Sequence, residues 1–401
     1  MKVELDDFIK ARQLLAPIIQ QTPIERSRSG SERFGAPVIF KLENQQKTGS
    51  FKIRGAYNKI SKLTAAEKAK GVIASSAGNH AQGVALSAQL AGVKATIVMP
   101  ETASLSKVAA TKAYGAEVIL HGNIYDEAFE KAQQLKQERG LVFVHPYEDV
   151  DIIAGQGTIG LEIFEQIPDL ETVVVPIGGG GVMSGIAKVI KTKNPKCRVI
   201  GVQSVQVPGM FELFKKVSLP KILGRTTTIA DGIAVKKTSP LMFEHFISKY
   251  VDDIVTVSDD EIAESIVFLL ERSKTLSEGS GAAAWAAGLS GKIKATGPTC
   301  FLVSGGNIDL NILSKVIQSG QIRRGGLAHI SVVVPDLPGS LSRLAAMIAN
   351  EKANILEVHH DRVSQNLFLR ETRIDFVLET ANHEHVERIK AALVNGGGRI
   401  V

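Results

Sequence analysis

Short runs of apolar and β-branched residues alternate with alanine-rich amphipathic stretches from about residue 70 onward. "GVIASS" is followed by "AQGVALSAQLAG", and "ATIVMP" by "SLSKVAATKAYG". Further strand-like runs are "AEVIL", "LVFVHP", "TVVVPI", "RVIGVQ", "DIVTV" and "TCFLVSGG". Apolar strands that alternate with helices are typical of a parallel sheet covered on both faces. The pattern predicts an α/β fold that binds its ligand at the carboxyl ends of the strands.

The pattern changes near residue 319. "SGQIRRGGLA" is polar, basic and glycine-rich, and a strand, a turn, a helix and a second strand follow it. "ETRIDFVLET", the helix-like "EHVERIKAALVNGG" and a terminal "RIV" complete a β-α-β-β-α-β order. This order predicts a separate ferredoxin-like domain over residues 327–401.

Composition and charge remove several classes of function. The 401 residues are 44% hydrophobic and 22% charged, as in a soluble chain of more than one folding unit. The net charge of +6 is spread along helix-like segments, as on solvated faces, which speaks against nucleic-acid binding. No apolar run reaches the roughly 20 residues of a membrane span, and the N-terminus is typical of an amphipathic helix. Cys197 and Cys300 are too few and too far apart to predict a disulfide framework or a zinc site, and they fit a cytoplasmic protein.

The stretch "PIGGGGVMSGIAK" places four glycines, Gly178–Gly181, between a strand and a helix. Such a turn lets backbone N–H groups and the positive end of the helix approach a phosphate; the alternative is a plain flexible turn. A dinucleotide fingerprint does not fit, since Ser184 takes the third glycine position and the strand ending at Gln203 carries no acid. A P-loop sequence is absent too, so a single phosphate monoester is predicted.

Two further loops follow strands of the same predicted sheet. "SSAGNHAQG" offers Ser76, Asn79 and His80 beside a helix start, a suitable nest for a carboxylate or a phosphate. Alternatively, Ser76 or Asn79 caps the helix and His80 is structural. "LVSGGN" brings Ser304, which alone could be a turn residue. The convergence of these loops favours a ligand site.

Lys52, in "TGSFKIRGA", is the candidate nucleophile. A lysine that attacks a carbonyl has to be partly neutral, which burial favours. Phe51 is next to it and Glu43 is the one acid nearby in sequence. The alternative is a solvated lysine, but a lysine together with a phosphate cradle predicts pyridoxal phosphate as cofactor.

At these residues the sequence resembles the threonine/serine dehydratases of pyridoxal-phosphate fold type II. "KLENQQKTGSFKIRGA", "SSAGNHAQGVA", "VPIGGGGVMSGIA", "TIADG", "EGSGAA" and "SGGN" occur in the order and spacing of that family. The resemblance implies a tryptophan synthase β-like catalytic domain over residues 1–320, with a small subdomain at about 48–147 inserted in the large one. It also implies a homodimer or homotetramer.

The resemblance assigns roles to individual residues. Lys52 would form the Schiff base with the cofactor and move the α-proton of the substrate, and the loop Ser76, Ala77, Gly78, Asn79 and His80 would bind the substrate carboxylate. The remaining cofactor-binding positions are Phe51 at the ring, Asn79 at its hydroxyl, Gly178, Gly179, Gly180, Gly181 and Val182 at the phosphate, and Ser304 at the pyridine nitrogen.

The implied reaction is β-elimination of L-threonine to 2-oxobutanoate and ammonia, with side activity on L-serine. A neutral Ser304 at the pyridine nitrogen favours elimination over a long-lived carbanion. Serine racemases of this fold carry a serine where this chain has Ala77, so racemisation is expected to be poor. An L-serine dehydratase or a racemase remains the alternative, and a non-catalytic amino-acid sensor is a third hypothesis.

The segment from His329 resembles an ACT domain, a small amino-acid-sensing fold. Its "PDLPGSL" turn matches the ligand loop, with Asp336, Leu337 and Gly339 as the candidate effector positions. A dimerisation module without ligand is the alternative. Some relatives bind a divalent cation near "ADG"; Asp231 is present, but "GRTTTIA" before it supplies no second acid, and no metal is expected.

Overall fold

The first three quarters of the chain form two β-sheets from the strands that alternate with helices along the sequence. The structure, a computed structural model, describes residues 1–220, 227–294, 296–363 and 367–401. It divides into Met1–Leu310, here unit 1, and Asn311–Val401, here unit 2. The strands of unit 1 are β1 (Ile24–Ser27), β2 (Val38–Leu42), β3 (Val72–Ser75), β4 (Ala95–Met99), β5 (Glu117–Leu120), β6 (Val142–Phe143), β7 (Thr172–Pro176), β8 (Arg198–Ser204), β9 (Asp253–Val257) and β10 (Thr299–Val303).

The larger sheet has the order β1-β2-β10-β7-β8-β9, and the smaller one the order β5-β4-β3-β6. Only the β1–β2 pair is antiparallel; the other pairs in both sheets are parallel. The chain between β2 and β7 builds the smaller sheet, so the carboxyl ends of two sets of parallel strands are available for one site. The predicted α/β fold with parallel sheets is confirmed.

Helices cover these sheets. They are α1 (Leu5–Leu15), α2 (Arg28–Phe34), α3 (Lys52–Ser61), α4 (Ala65–Lys70), α5 (Asn79–Leu90), α6 (Leu105–Ala113), α7 (Tyr125–Arg139), α8 (Val150–Gln166), α9 (Gly181–Lys193), α10 (Gly209–Lys215), α11 (Pro240–Met242), α12 (Ser248–Tyr250), α13 (Asp259–Arg272) and α14 (Gly279–Leu289). A further helix, α15 (Leu310–Arg323), begins at the last residue of unit 1 and continues into unit 2. None of the helices in the described residues is long and apolar enough to cross a membrane.

Helix α8 packs against α3 and α9 at glycine residues, where the helix backbones come into close contact. A Cβ atom on Gly155 would lie 2.4 Å from the carbonyl oxygen of Arg54 on α3. One on Gly185 of α9 would lie 2.7 Å from the backbone nitrogen of Gly157 on α8. Both distances are far shorter than carbon contacts allow, so side chains at these crossings would force the helices apart. The close crossings set the positions of α3 and α9 relative to each other.

Four buried charges join α3 and α8 to β2 and the residue that follows it. Arg54 on α3 donates to Glu43 (Nε to Oε2, 2.8 Å) and to Glu162 on α8 (Nη1 to Oε1, 2.6 Å). Lys41 on β2 donates to Glu162 Oε2 at 2.6 Å, and Thr22 donates to Glu43 Oε1 at 2.5 Å. The four ionic side chains are almost completely buried and balance two positive charges with two negative ones.

This network corrects one expectation from the sequence. Basic residues were expected on solvated faces, which is wrong for Lys41 and Arg54. Glu43, the acid near Lys52 in sequence, pairs with Arg54. Burial alone would raise the pKa of Glu43; the charge and hydrogen bonds of Arg54 outweigh burial and lower it. The acid is therefore ionised and belongs to the scaffold.

Unit 2 consists of β11 (Leu327–Pro335), α16 (Ser340–Asn350), β12 (Asn354–Asp361), β13 (Glu371–Glu379), α17 (His383–Asn395) and β14 (Arg399–Ile400). Its antiparallel sheet has the order β12-β13-β11-β14. Alternate residues of β13 are buried, among them Ile374, Phe376 and Leu378, which contribute to the core of this unit. The β-α-β-β-α-β order is the one expected from the sequence. The domain limits 1–320 and 327–401, and the subdomain 48–147, stay predictions.

Replacing Arg54 with methionine should lower the free energy of unfolding of unit 1 by about 3–5 kcal/mol, because Glu43 and Glu162 would remain buried without their partner. Trp285, the single tryptophan, is fully buried in unit 1, so its fluorescence during a denaturant titration reports on this unit. Arg28, whose side chain is 93% exposed beside Glu32, provides the control. Arg28→Met should cost less than about 1 kcal/mol, and an equally small loss for Arg54→Met would contradict the scaffold role.

Candidate active site

One cavity of about 730 Å³ in unit 1 contains the residues that the sequence singled out for catalysis and binding. Its volume lies in the range of small-molecule and cofactor sites. The loops that line it follow parallel strands, as expected. The expectation that they follow strands of one sheet is wrong, because the loop at residues 76–80 follows β3 of the smaller sheet, whereas the tetraglycine and Ser304 follow β7 and β10 of the larger one. The predicted residues that line it are Phe51, Lys52, Ser76, Ala77, Gly78, Asn79, His80, Gly178, Gly179, Gly180, Gly181, Val182 and Ser304.

The backbone before Lys52 is fixed by an unusual turn. Thr48 and Gly49 both have positive φ (65° and 68°), and for threonine this conformation is strained. Asn307 Nδ2 donates to the Thr48 carbonyl at 2.7 Å, which holds the turn. Beyond it Ser50 pairs with Gly305 as an isolated bridge, so the chain enters α3 beside the end of β10. Lys52 is the first residue of that helix.

The Lys52 amine has few polar neighbours. Its Nζ lies 3.5 Å from the Pro146 carbonyl oxygen and 5.2 Å from the centre of the Phe51 ring. No ion pair to Lys52 occurs within the described part of the chain. Burial lowers the pKa of Lys52 to about 8, although the charge of Glu278 acts in the opposite direction. An appreciable fraction of this amine is therefore neutral near pH 7, unlike an ordinary lysine.

The tetraglycine forms the turn between β7 and the 13-residue helix α9. Gly180 is the N-cap with φ of 97°, a conformation that favours glycine. A Cβ on Gly179 would lie 2.2 Å from the ring of Tyr147, so a side chain there would displace Tyr147. The N–H groups of residues 178–182 donate to no acceptor in the parts of the chain that the structure describes. Together with the positive end of α9 they form an anion cradle.

A second group of free N–H donors lies at the start of α5. Gly78 is the N-cap of this helix, and no side chain caps it, so the alternative that Ser76 or Asn79 is a simple cap is wrong. Ser76 Oγ instead accepts from the N–H of Gly78 at 3.2 Å. The N–H groups of Ala77, Asn79 and His80 find no acceptor among the described residues. This loop can bind a carboxylate through its backbone.

His80 is a structural member of this loop and not an acid or a base. It is buried, and its Nε2–H donates to the Val144 carbonyl at 2.9 Å. Burial, followed by the charge of Lys52, lowers the pKa of His80 to about 3. The imidazole is therefore neutral at physiological pH and joins α5 to the end of the smaller sheet.

The side chain of Asn79 is held by two residues that the sequence reasoning missed. Asn79 Nδ2 donates to Glu278 Oε1 at 2.6 Å, and Asn307 Nδ2 donates to Asn79 Oδ1 at 2.7 Å. These contacts fix the amide so that one Nδ2–H remains for a ligand. Burial and the charge of Asp231 raise the pKa of Glu278 to about 7. Glu278 lies in "EGSGAA" and Asn307 in "SGGN", two of the motifs that carry the family resemblance. Neither spacing nor composition indicated a role for these two side chains.

The donor set fits pyridoxal phosphate. The anion cradle suits its phosphate, and Lys52 lines the same cavity with a lowered pKa. The hydroxyls of Ser75 and Ser280 also line the cavity, are buried and have no partner among the described residues. Ser304 Oγ makes one long contact of 3.4 Å to the Ser280 carbonyl oxygen. Polar groups of this kind require partners, and a bound polar ligand would supply them.

Asp231, the residue considered for a metal, contacts a lysine. Lys107 Nζ on α6 lies 2.8 Å from Asp231 Oδ2 and 3.9 Å from Asp309 Oδ2. Within the four described stretches no group of three His, Cys, Asp or Glu side chains could hold a metal ion. Of the segment "GRTTTIA", residues 224–226 lie outside the described residues, so the expectation there concerns the sequence alone.

Comparisons with known proteins show the family of this chain. Residues 15–305 match the family "Pyridoxal-phosphate dependent enzyme". An L-threonine ammonia-lyase from Thermotoga maritima is 46% identical over 396 residues, which cover 98% of each chain. Among solved structures, the processed form of threonine deaminase isoform 2 from Solanum lycopersicum has a TM-score of 0.72 at 35% identity, covering 80% of this chain and 90% of that one. A maize serine racemase has a TM-score of 0.74 at 34% identity, covering 80% and 99%. The chain belongs to the family of pyridoxal-phosphate dependent enzymes.

Proposed function

We propose that the protein is an L-threonine ammonia-lyase, which converts L-threonine to 2-oxobutanoate and ammonia and L-serine, as a side substrate, to pyruvate. The observation that carries this proposal is that Lys52, with a pKa of about 8, lines one cavity with the anion cradle at residues 178–182. The name of the Thermotoga maritima relative, which is similar over nearly the whole chain, supports threonine as the substrate.

The residues divide the work by their chemistry. The cradle would hold the cofactor phosphate, and Asn79, oriented by Glu278 and Asn307, would donate to the cofactor hydroxyl. When bound, pyridoxal phosphate supplies an electron sink for the α-carbon of the amino acid. The N–H groups of residues 77, 79 and 80 orient the substrate carboxylate. The amine of Lys52 accepts the α-proton, which its lowered pKa permits near neutral pH.

Elimination and racemisation differ in the groups they require. Racemisation needs a second acid on the face of the substrate opposite Lys52. Ala77 lines the cavity within the carboxylate loop and has no hydroxyl to serve there. The similarity to a serine racemase therefore extends to the fold, while Ala77 favours elimination in this chain. Ser304, an uncharged hydroxyl, would face the pyridine nitrogen and is consistent with the same outcome.

We further propose that unit 2 is an ACT-type regulatory domain of a cytoplasmic homodimer or homotetramer. Its β-α-β-β-α-β order supports this assignment. Gly339, the N-cap of α16 with φ of 88°, leaves open space where a Cβ would be. Leu337 is largely exposed, and Asp336 accepts from Arg362 at 3.2 Å. This turn is the candidate effector loop, with an amino acid as its ligand.

Lys52→Ala should abolish 2-oxobutanoate formation from threonine, because it removes the amine that binds the cofactor and accepts the α-proton. The visible absorption of lysine-bound cofactor should disappear with it. Lys62→Ala provides a control just beyond the opposite end of α3, where the side chain pairs with Asp151, and both signals should persist. Threonine turnover that survives Lys52→Ala would disprove the assignment.

Ala77→Ser should introduce detectable racemisation of L-serine, because it places a hydroxyl in the carboxylate loop. Chiral chromatography of the residual serine measures it. Ala77→Gly changes the same position without adding a hydroxyl and should form no D-serine. If Ala77→Ser also forms none, this position does not separate elimination from racemisation.

The cofactor-free protein should capture pyridoxal phosphate faster as the pH rises, with a midpoint of about 8, because only the neutral amine of Lys52 attacks the aldehyde. Stopped-flow absorbance follows the reaction. Glu278→Gln removes a charge that raises the pKa of Lys52, so its profile should move to lower pH. A midpoint near 10.5, the value of an ordinary lysine, would show that burial does not activate Lys52.

A further inference from the structure

Five aromatic rings form a continuous row along one side of the cavity. Tyr125 contacts Phe129, and Phe129 contacts Phe143, with ring centroids 6.1 and 5.7 Å apart. Phe143 contacts His145 at 6.1 Å, and His145 contacts Tyr147 at 4.7 Å. Phenylalanine, tryptophan and tyrosine make up only 5% of the chain, so this clustering is not a consequence of composition. All members of the row except Phe143 line the cavity.

The inner end of the row lies at the reactive lysine. Pro146, between His145 and Tyr147, has its carbonyl oxygen 3.5 Å from Lys52 Nζ. The Tyr147 ring fills the space in front of Gly179, in the anion cradle. The aromatic row therefore ends beside the lysine that a substrate would contact.

The imidazole in the row packs as a neutral aromatic ring, with its Nε2 3.9 Å from Glu148 Oε2. His145 Nδ1 accepts from the N–H groups of Tyr147 (3.2 Å) and Glu148 (2.8 Å), which requires this nitrogen to be unprotonated. Burial also lowers the pKa of His145, despite the charges of Glu148 and Asp149. The neutral ring packs nearly perpendicular to Tyr147, at 86°, as aromatic pairs do.

The outer end of the row reaches the surface as exposed apolar area. Tyr125 is 46% and its neighbour Ile124 48% exposed, and both line the cavity. Exposed apolar residues that continue into a pocket mark a surface for an apolar ligand group. The single methyl group of threonine cannot cover a surface of this length. Small residues elsewhere in the lining, such as Ala77, Ala103 and Ala234, leave room beside it.

We propose that the enzyme also deaminates β-hydroxy-α-amino acids whose β-carbon carries an aromatic group, with 3-phenylserine as the representative substrate. The inference rests on the proposed function, since it uses the same lysine, cradle and carboxylate loop. The phenyl group packs edge-to-face against His145 and Phe129, in the geometry that each of these two rings already adopts with one neighbour in the row, Tyr147 and Phe143 respectively.

The reaction has the same balance as that of threonine. The Cα–H bond and the Cβ–O bond break, Lys52 takes the α-proton, and the hydroxyl leaves as water with one proton, so that the site has neither gained nor lost a proton. The resulting enamine isomerises to the imine by moving a proton from nitrogen to the β-carbon. Water then replaces nitrogen at the α-carbon, so the water lost in the first step is consumed in the last. The products are phenylpyruvate and ammonia, and no oxidant or reductant is required.

The test compares kcat/KM for threo-3-phenylserine and L-threonine with the purified holoenzyme. Phenylpyruvate is measured by chromatography, and threonine turnover checks the proposed function independently. Phe129→Leu removes a ring and should lower the ratio of phenylserine to threonine kcat/KM about three- to tenfold, the range expected for one aromatic pair. Phe129→Tyr keeps the ring and should keep the ratio. Phe164→Leu changes a half-buried phenylalanine outside the cavity and should leave the ratio unchanged.

Each outcome decides the inference. Turnover of phenylserine with the expected loss in Phe129→Leu alone supports it. Threonine turnover without phenylserine turnover overturns the substrate class and leaves the proposed function standing. Phenylserine turnover that Phe129→Leu does not change overturns the role of the row. If neither amino acid is turned over, the proposed function and this inference both fail.

Discussion

The packing of α8 against α3 and α9 is the constraint on which the site depends. Gly155 lets α8 touch the backbone of α3, and Gly157 with Gly185 lets it touch α9. Lys52 begins α3 and the anion cradle begins α9, so one rigid helix sets the distance between the nucleophile and the phosphate site. A covalent link and an anion contact made by the same small cofactor tolerate little error in that distance. Precision here comes from backbone contact and not from side chains that can change rotamer.

The charged residues of this region belong either to the scaffold or to the site, and the two groups have different surroundings. Behind Lys52, Arg54 forms buried ion pairs with Glu43 and Glu162. In front, Lys52 has no comparable carboxylate, and Glu278, the acid that influences it, is bonded to Asn79. Two residues apart in sequence, Lys52 and Arg54 thus have opposite shifts in pKa, one lowered by burial and the other raised by its partners. The helical rotation between neighbouring positions separates these environments.

Periodicity and glycine-marked loops were sufficient to predict the parallel α/β fold, the ferredoxin-like element order and the residues that share one cavity. These features depend on local patterns that repeat along the chain. The partners of Asn79 and Arg54 could not be predicted in the same way, because Glu278 and Asn307 approach Asn79 from 199 and 228 positions away. The pairing of Glu43 with Arg54 could not be predicted either, since sequence distance says nothing about which face of α3 meets Glu43. The aromatic row could not be predicted from a local pattern because its members come from a helix, a strand and a loop.

The buried charge network also limits how this scaffold can change over generations. Lys41, Glu43, Arg54 and Glu162 sum to zero, and any single replacement that alters charge leaves an ion without its partner in the interior. A lineage therefore reaches an apolar version of this core only through an unstable intermediate or by several substitutions at once. The four residues are therefore expected to be retained or replaced together, although they come from three separate segments of the chain.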